Sequence, residues 1–148
     1  MSEIWLTLAL GGGLLLLCLI DIRQRRLPDV ITLPLIAAGL IQGALELGGW
    51  PTARIVGACL GFGVFWVIGE AFWRWRGIEG LGQGDAKLLA GAGAWLGWTA
   101  LPTVVLVASF GALLMELGQG AVAGRRIAFG PWLAGAFWLY WLWQSGLR

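Results

Sequence analysis

Histidine is missing from this chain altogether, and charge is scarce: only 12% of its 148 residues are Asp, Glu, Lys or Arg. A soluble domain usually carries about 25%, so a generously solvated surface is not expected. There are two cysteines, Cys18 and Cys59, both inside apolar stretches and without metal-ligand spacing. With no imidazole available either, a zinc centre is not expected. The net charge of +2 is small, and no basic patch interleaves with aromatics, so nucleic acid is not an expected partner. No internal repeat, low-complexity tract or soluble domain is visible.

What the chain has in abundance is apolar length. Residues 4–20, 55–69, 88–115 and 127–147 run for 17, 15, 28 and 21 residues without a charge. Crossing the hydrocarbon of a bilayer takes roughly 20 predominantly apolar residues, within a range of about 17–25. The 25 glycines would be costly in soluble helices, but small residues let membrane helices pack closely. Eleven tryptophans, several near the ends of the runs, suit interfacial belts. The first run has no basic stretch before it and no small-residue cleavage site after it, so it reads as a retained helix rather than a signal peptide.

The pattern predicts an all-α, polytopic transmembrane bundle of about six helices, a single domain over residues 1–148. The predicted spans are 4–20, 30–47, 54–73, 86–98, 102–123 and 130–147. The run from Leu88 must be divided, because 28 residues would reach about 42 Å at 1.5 Å per residue, against ~30 Å of hydrocarbon. Gly97, Thr99 and Pro102 supply the break. The fourth helix is then short, and five crossings with one re-entrant segment is the alternative. Arg23, Arg25, Arg26, Arg74, Arg76, Lys87, Arg125 and Arg126 fall in loops on one side, while Arg54 and Arg148 fall on the other. The Lys/Arg-rich side is cytoplasmic, which predicts both termini outside and places Asp21 and Asp85 at the cytoplasmic face.

Two segments could carry chemistry. In Glu79-Gly80-Leu81-Gly82-Gln83-Gly84-Asp85-Ala86-Lys87, glycines would permit positive φ and close backbone approach before an apolar helix. Asp85 would sit at that helix's N-terminus, where free N–H groups favour its charge. A plain glycine loop with an Asp N-cap fits the same residues. The second segment follows the first helix, where Asp21 directly ends the apolar run, at a depth where an ion is expensive without a role or partner. An exposed pair with Arg25 at i+4 is the structural alternative. Asp29 is expected as the cap of the second helix, and Glu79 and Lys87 flank the glycine loop as candidates for shaping a site.

Three ordered blocks give the chain a likeness. Asp21 with Leu27-Pro28-Asp29 and Thr32-Leu33-Pro34 is the first. Gly82-Gln83-Gly84-Asp85-Ala86-Lys87-Leu88-Leu89 with Gly93-Ala94-Trp95-Leu96-Gly97 is the second, and Ile127-Ala128-Phe129-Gly130-Pro131-Trp132-Leu133-Ala134 the third. Together they resemble the prepilin peptidases, bacterial membrane aspartic peptidases of the Gly-x-Gly-Asp type. The resemblance implies that Asp21 and Asp85 are the catalytic pair, with Gly82, Gly84, Lys87, Asp29 and Glu79 as site-shaping candidates and no metal or cofactor. It implies as substrates type IV prepilins or type II secretion pseudopilins, which carry a short basic leader before a hydrophobic helix and are cut at the cytoplasmic face of the inner membrane. Long family members also carry an N-terminal region with two Cys pairs, associated with N-methylation. Those pairs are absent here, and no segment looks like a glycine-rich S-adenosylmethionine loop, so a peptidase-only short form or catalytic domain without methyltransferase activity is expected.

Other acidic residues in apolar surroundings are functional candidates too. Glu70 is four residues before Arg74, and Glu46 ends its helix. Glu116 lies deeper, and is expected to contact a neighbouring helix or Arg125 and Arg126. Two other classes stay open: a small transporter or channel component using Asp21, Asp85 and Glu116 as an ion path, and a non-catalytic assembly subunit of a pilus or secretion machine.

Overall fold

The computed structural model describes residues 2–24, 27–77, 82–119 and 129–146. Among them it is all-α, as predicted: α1 is Ser2–Gln24, α2 Asp29–Leu47, α3 Thr52–Arg76, α4 Gln83–Leu96, α5 Leu101–Gln119 and α6 Gly130–Gly146, with a 3₁₀ turn at Trp98–Ala100. Among the described residues four helices (α1, α2, α3, and the segment through α5) are long and apolar enough to cross a membrane. Large apolar side chains are also exposed along them, including Leu8, Leu15, Val64, Val67 and Leu106. Such surface fits lipid and would be an aggregation hazard in water. The chain is a multi-pass, all-α membrane protein.

The break in the long apolar run falls where the glycine and proline signals put it. Gly97 has φ 85° and ψ 171°, backbone that side-chain-bearing residues avoid. Pro102 then falls in the first turn of α5, where its missing N–H costs nothing. Pro34 is a proline inside a helix. It lies beyond the first turn of α2, so its ring removes the bond that would reach the Val30 carbonyl.

The chain divides into two compact units, residues 1–25 with 102–148, and residues 26–101. The second unit is built around α4. At 14 residues this helix is only about 21 Å long, yet ten of its residues are buried, Leu88 through Leu96 continuously. A helix that is apolar all round is stable only when enclosed. α3 closes on it by glycine contacts. A Cβ on Gly57 would lie 2.6 Å from the Gly93 carbonyl oxygen, and one on Gly61 would lie 2.6 Å from that of Leu89. Gly57 and Gly61 are thus a small-x-x-x-small pair that lets the two backbones touch.

α2 covers another side of α4. The Trp95 indole N–H donates to the Leu35 carbonyl across 2.8 Å in a buried position. A Trp95→Phe substitution removes that donor and part of the ring, and is expected to cost about 1 kcal/mol or more. Detergent unfolding monitored by circular dichroism would measure the loss. Farther along α2, Arg54 of α3 donates to Gln42 Oε1 and to the Gly39 carbonyl, each at 3.1 Å. It also pairs with Glu46 at 2.6 Å. This explains the polar Gln42 inside an apolar helix: it belongs to a hydrogen-bonded set whose members satisfy one another.

In the first unit, α1 and α6 pack together. Leu10, Leu14 and Leu17 are buried on one face of α1, and Leu133, Phe137 and Trp141 on α6. Gly11 makes room for the Trp138 ring, 2.5 Å from where its Cβ would be. Trp141 donates its indole N–H to Thr7 Oγ1 at 3.2 Å.

Candidate active site

Asp21 stands on the buried face of α1. Counting from Leu10 in steps of four, three and four, the stripe reads Leu10, Leu14, Leu17, Asp21, so helical periodicity carries the carboxylate into the packed side. The helix does not end at Asp21 as expected. It continues to Gln24, and Asp21 lies in its last turn, 8% exposed. The negative end of a helix is a poor place for an anion. The carboxylate lies instead against Gly130, the first residue of α6: a Cβ there would overlap Oδ2 and lie 2.9 Å from Cγ. The start of α6, a positive helix end, is therefore Asp21's neighbour. Arg25, the alternative partner, lies outside the described residues.

Asp85 occupies the first turn of α4 in the second unit. Gly82 is the N-cap, so the Asp N-cap reading is replaced: Asp85 is the third helical residue. Its N–H donates to the Gly82 carbonyl at 3.1 Å. Its carboxylate folds back, with Oδ2 3.6 Å from where a Gly82 Cβ would be, which is the position of the acidic member of a capping box. Asp85 is partly exposed.

The role expected of the glycines divides. Gly82 has φ −71°, extended backbone open to any residue, so positive φ is not what it supplies. Gly84 is there for space: its Cβ would lie 3.0 Å from Leu27 Cβ, and Leu27 is buried. The strap before α2 is thus seated on the first turn of α4. A second tie reinforces it, because the Lys87 ammonium donates to Asp29 Oδ1. Asp29 does not cap α2 as expected. Pro28 is the N-cap, and Asp29 begins the helix with no side-chain cap bond. Its side chain turns to Lys87 instead. Within this unit the residues around 27–29 and 82–87 come together. Glu79 lies outside the described residues.

The remaining acids have ordinary surroundings. Glu70 pairs with Arg74 at 3.0 Å, one helical turn away, and Glu46 with Arg54. Glu116 is half-buried on α5, and Arg125 and Arg126 lie outside the described residues. Among the described residues no three His, Cys, Asp or Glu side chains group as a metal site. Gly130, which lies against Asp21, is not among the site residues expected from the sequence. The available signal was a Gly-Pro pair opening an apolar helix, which reads as a helix start without saying what lies against it.

Residues 8–117 match the sequence profile of the Type IV leader peptidase family. The chain is similar to the prepilin leader peptidase/N-methyltransferase of Aeromonas hydrophila, 42% identical over 97% of this chain and 52% of that protein. It is likewise 42% identical to the one from Escherichia coli K12, over 81% of this chain and 55% of the relative. The Pseudomonas aeruginosa protein is 40% identical over 92% of this chain and 48% of its own length. No solved structure matches. The chain spans about half the length of the curated relatives it matches, and the matched stretch holds both Asp21 and Asp85. The chain belongs to the Type IV leader peptidase family.

Proposed function

We propose that this protein is an aspartic endopeptidase of the inner membrane that removes the short basic leader from type IV prepilins or type II secretion pseudopilins, with Asp21 and Asp85 as its catalytic pair. The carrying observation is Asp21 itself, a carboxylate 8% exposed on the buried stripe of an apolar helix. Ionisable groups are held at such depth when they have work to do. Family membership and the location of Asp85 in the first turn of a buried helix support the same reading.

The proposed chemistry requires both carboxylates at one scissile bond, sharing a single proton, since two close charges are not both sustained. The ionised member takes a proton from water as the water oxygen adds to the peptide carbonyl carbon. The protonated member gives its proton to the carbonyl oxygen. Collapse of the tetrahedral adduct breaks the C–N bond and sends a proton to the leaving amine. One water is consumed, and the pair ends with the single proton it began with. Neither metal nor cofactor takes part, and methyl transfer is not assigned to these residues. Residues 1–148 act as one peptidase domain, with the pair at the cytoplasmic face and both termini outside.

The test is incubation of the purified protein in proteoliposomes with a full-length prepilin, with the product's new N-terminus read by mass spectrometry. A single cut between leader and hydrophobic helix, with an unmethylated amine, is expected. Failure to cut that prepilin, and a pseudopilin treated in the same way, would refute the proposal.

Asp29, Lys87, Gly82, Gly84 and Glu79 are proposed as site-shaping rather than reacting groups. The Lys87–Asp29 pair is partly exposed, and such pairs contribute only about 0–1 kcal/mol to stability. Its expected importance is orientation of the turn that carries Asp85, where a small misplacement can cost on the order of 100-fold. Lys87→Gln should slow cleavage by roughly tenfold to 100-fold with little change in melting temperature. Exchanging the charges, Asp29→Lys with Lys87→Asp, should recover part of the rate. A slow exchange variant would sink the idea.

A further inference from the structure

The close approach of Asp21 to α6 goes beyond the catalytic pair, and rests on the proposed role of Asp21. We infer that Gly130 is a positioning residue: its bare α-carbon is the seat on which the Asp21 carboxylate lies. Three observations meet there. A Cβ at Gly130 would overlap Asp21 Oδ2, with Cγ at 2.9 Å and even Asp21 Cβ at 3.5 Å. Asp21 is 8% exposed, so its side chain has little room to swing aside. It also continues the Leu10, Leu14, Leu17 stripe, so α1 cannot rotate the carboxylate away without unpacking those leucines. Any residue but glycine at 130 must move either the carboxylate or the start of α6.

The seat is separable from general packing of the two helices. Gly11 makes an equally tight approach to α6, but to the Trp138 ring near the middle of α1, ten residues before Asp21. Gly11→Ala therefore crowds the same helix pair without touching Asp21, and serves as the comparison. If Gly130 merely allows packing, the two substitutions should behave alike.

Two readouts decide it, one independent of activity. In a background with Cys18→Ser and Cys59→Ser, Asp21→Cys puts a thiol where the carboxylate begins, and its labelling by a maleimide in membrane vesicles needs only insertion. Adding Gly130→Ala should raise the labelling rate fivefold or more, while adding Gly11→Ala should leave it within twofold. In the protein with Asp21 present, Gly130→Ala should lower kcat on prepilin at least tenfold per folded enzyme with KM within twofold, and Gly11→Ala should leave kcat per folded enzyme within twofold. Unchanged labelling with Gly130→Ala, or equal increases with both substitutions, would overturn the seat. Raised labelling with unchanged kcat would overturn its positioning role. Cleavage surviving Asp21→Asn would overturn the catalytic reading and the role with it, while the labelling would still report the seat.

Discussion

Replacing either aspartate by asparagine is expected to lower prepilin cleavage by about a thousandfold, which corresponds to ~4 kcal/mol of transition-state stabilisation. Asparagine keeps the shape and the hydrogen-bonding oxygen of aspartate, but it can neither take a proton from water nor hold the shared one. General acid–base groups contribute about 10²–10⁴-fold, and groups acting as a unit are lost as a unit. The double variant should therefore be no slower than either single one by more than a few-fold. Single-turnover cleavage in proteoliposomes measures all three rates. Folding should survive. Asparagine has the shape of aspartate and keeps the buried packing around residue 21, so Asp21→Asn should melt close to the temperature of the parent. Independent, multiplying losses from the two positions would argue against one shared site, and retained cleavage in either variant would remove that residue from the pair.

Substitution of Gly93 by alanine should be the most damaging single methyl in the second unit. Its Cβ would overlap the backbone carbonyl of Gly57, and Gly57 in turn faces the carbonyl of Gly93 and the Gly97 and Trp98 backbone. A crowded side chain can change rotamer, but a crowded carbonyl can yield only if α3 and α4 separate. Overpacking costs about 1–3 kcal/mol where side chains can adjust. A backbone clash belongs at or above the top of that range, so a loss of about 3 kcal/mol is expected in unfolding by denaturing detergent. Gly63→Ala, on the facing helix α3, provides the control. Nothing lies within 4 Å of its Cβ, so the change should be neutral or stabilise by up to about 1 kcal/mol through helix propensity. Because α4 carries Asp85 in its first turn, Gly93→Ala should also reduce cleavage. Equal stability of the two alanine variants would show that the glycine contact between α3 and α4 does not hold this unit together.

Much of the protein is determined by sequence alone. Apolar run lengths set the helical membrane class, because a bilayer demands internally bonded backbone over about 20 residues. Gly97 and Pro102 divided the longest run, since each has a backbone requirement readable from its own identity. Asp21 stood out because a carboxylate ending an apolar run is expensive without a role or partner, and Asp85 because it follows Gly-x-Gly at the start of an apolar helix. Other features could be decided only by tertiary structure, because they are relations between segments far apart in the chain. Nothing local to Asp29 indicates that it turns from the cap of α2 to Lys87, since both arrangements satisfy its charge. Nothing in the glycine loop indicates that Gly84 serves Leu27 by its missing Cβ while Gly82 keeps an ordinary φ. Gly57 and Gly93 are ordinary helix-weakening glycines until α3 lies on α4. The same holds for Gly130: its sequence context announces a helix start, and only packing of α6 on α1 brings the Asp21 carboxylate against it. Propensity and hydrophobic length are properties of one segment, whereas steric fit exists only once two segments meet.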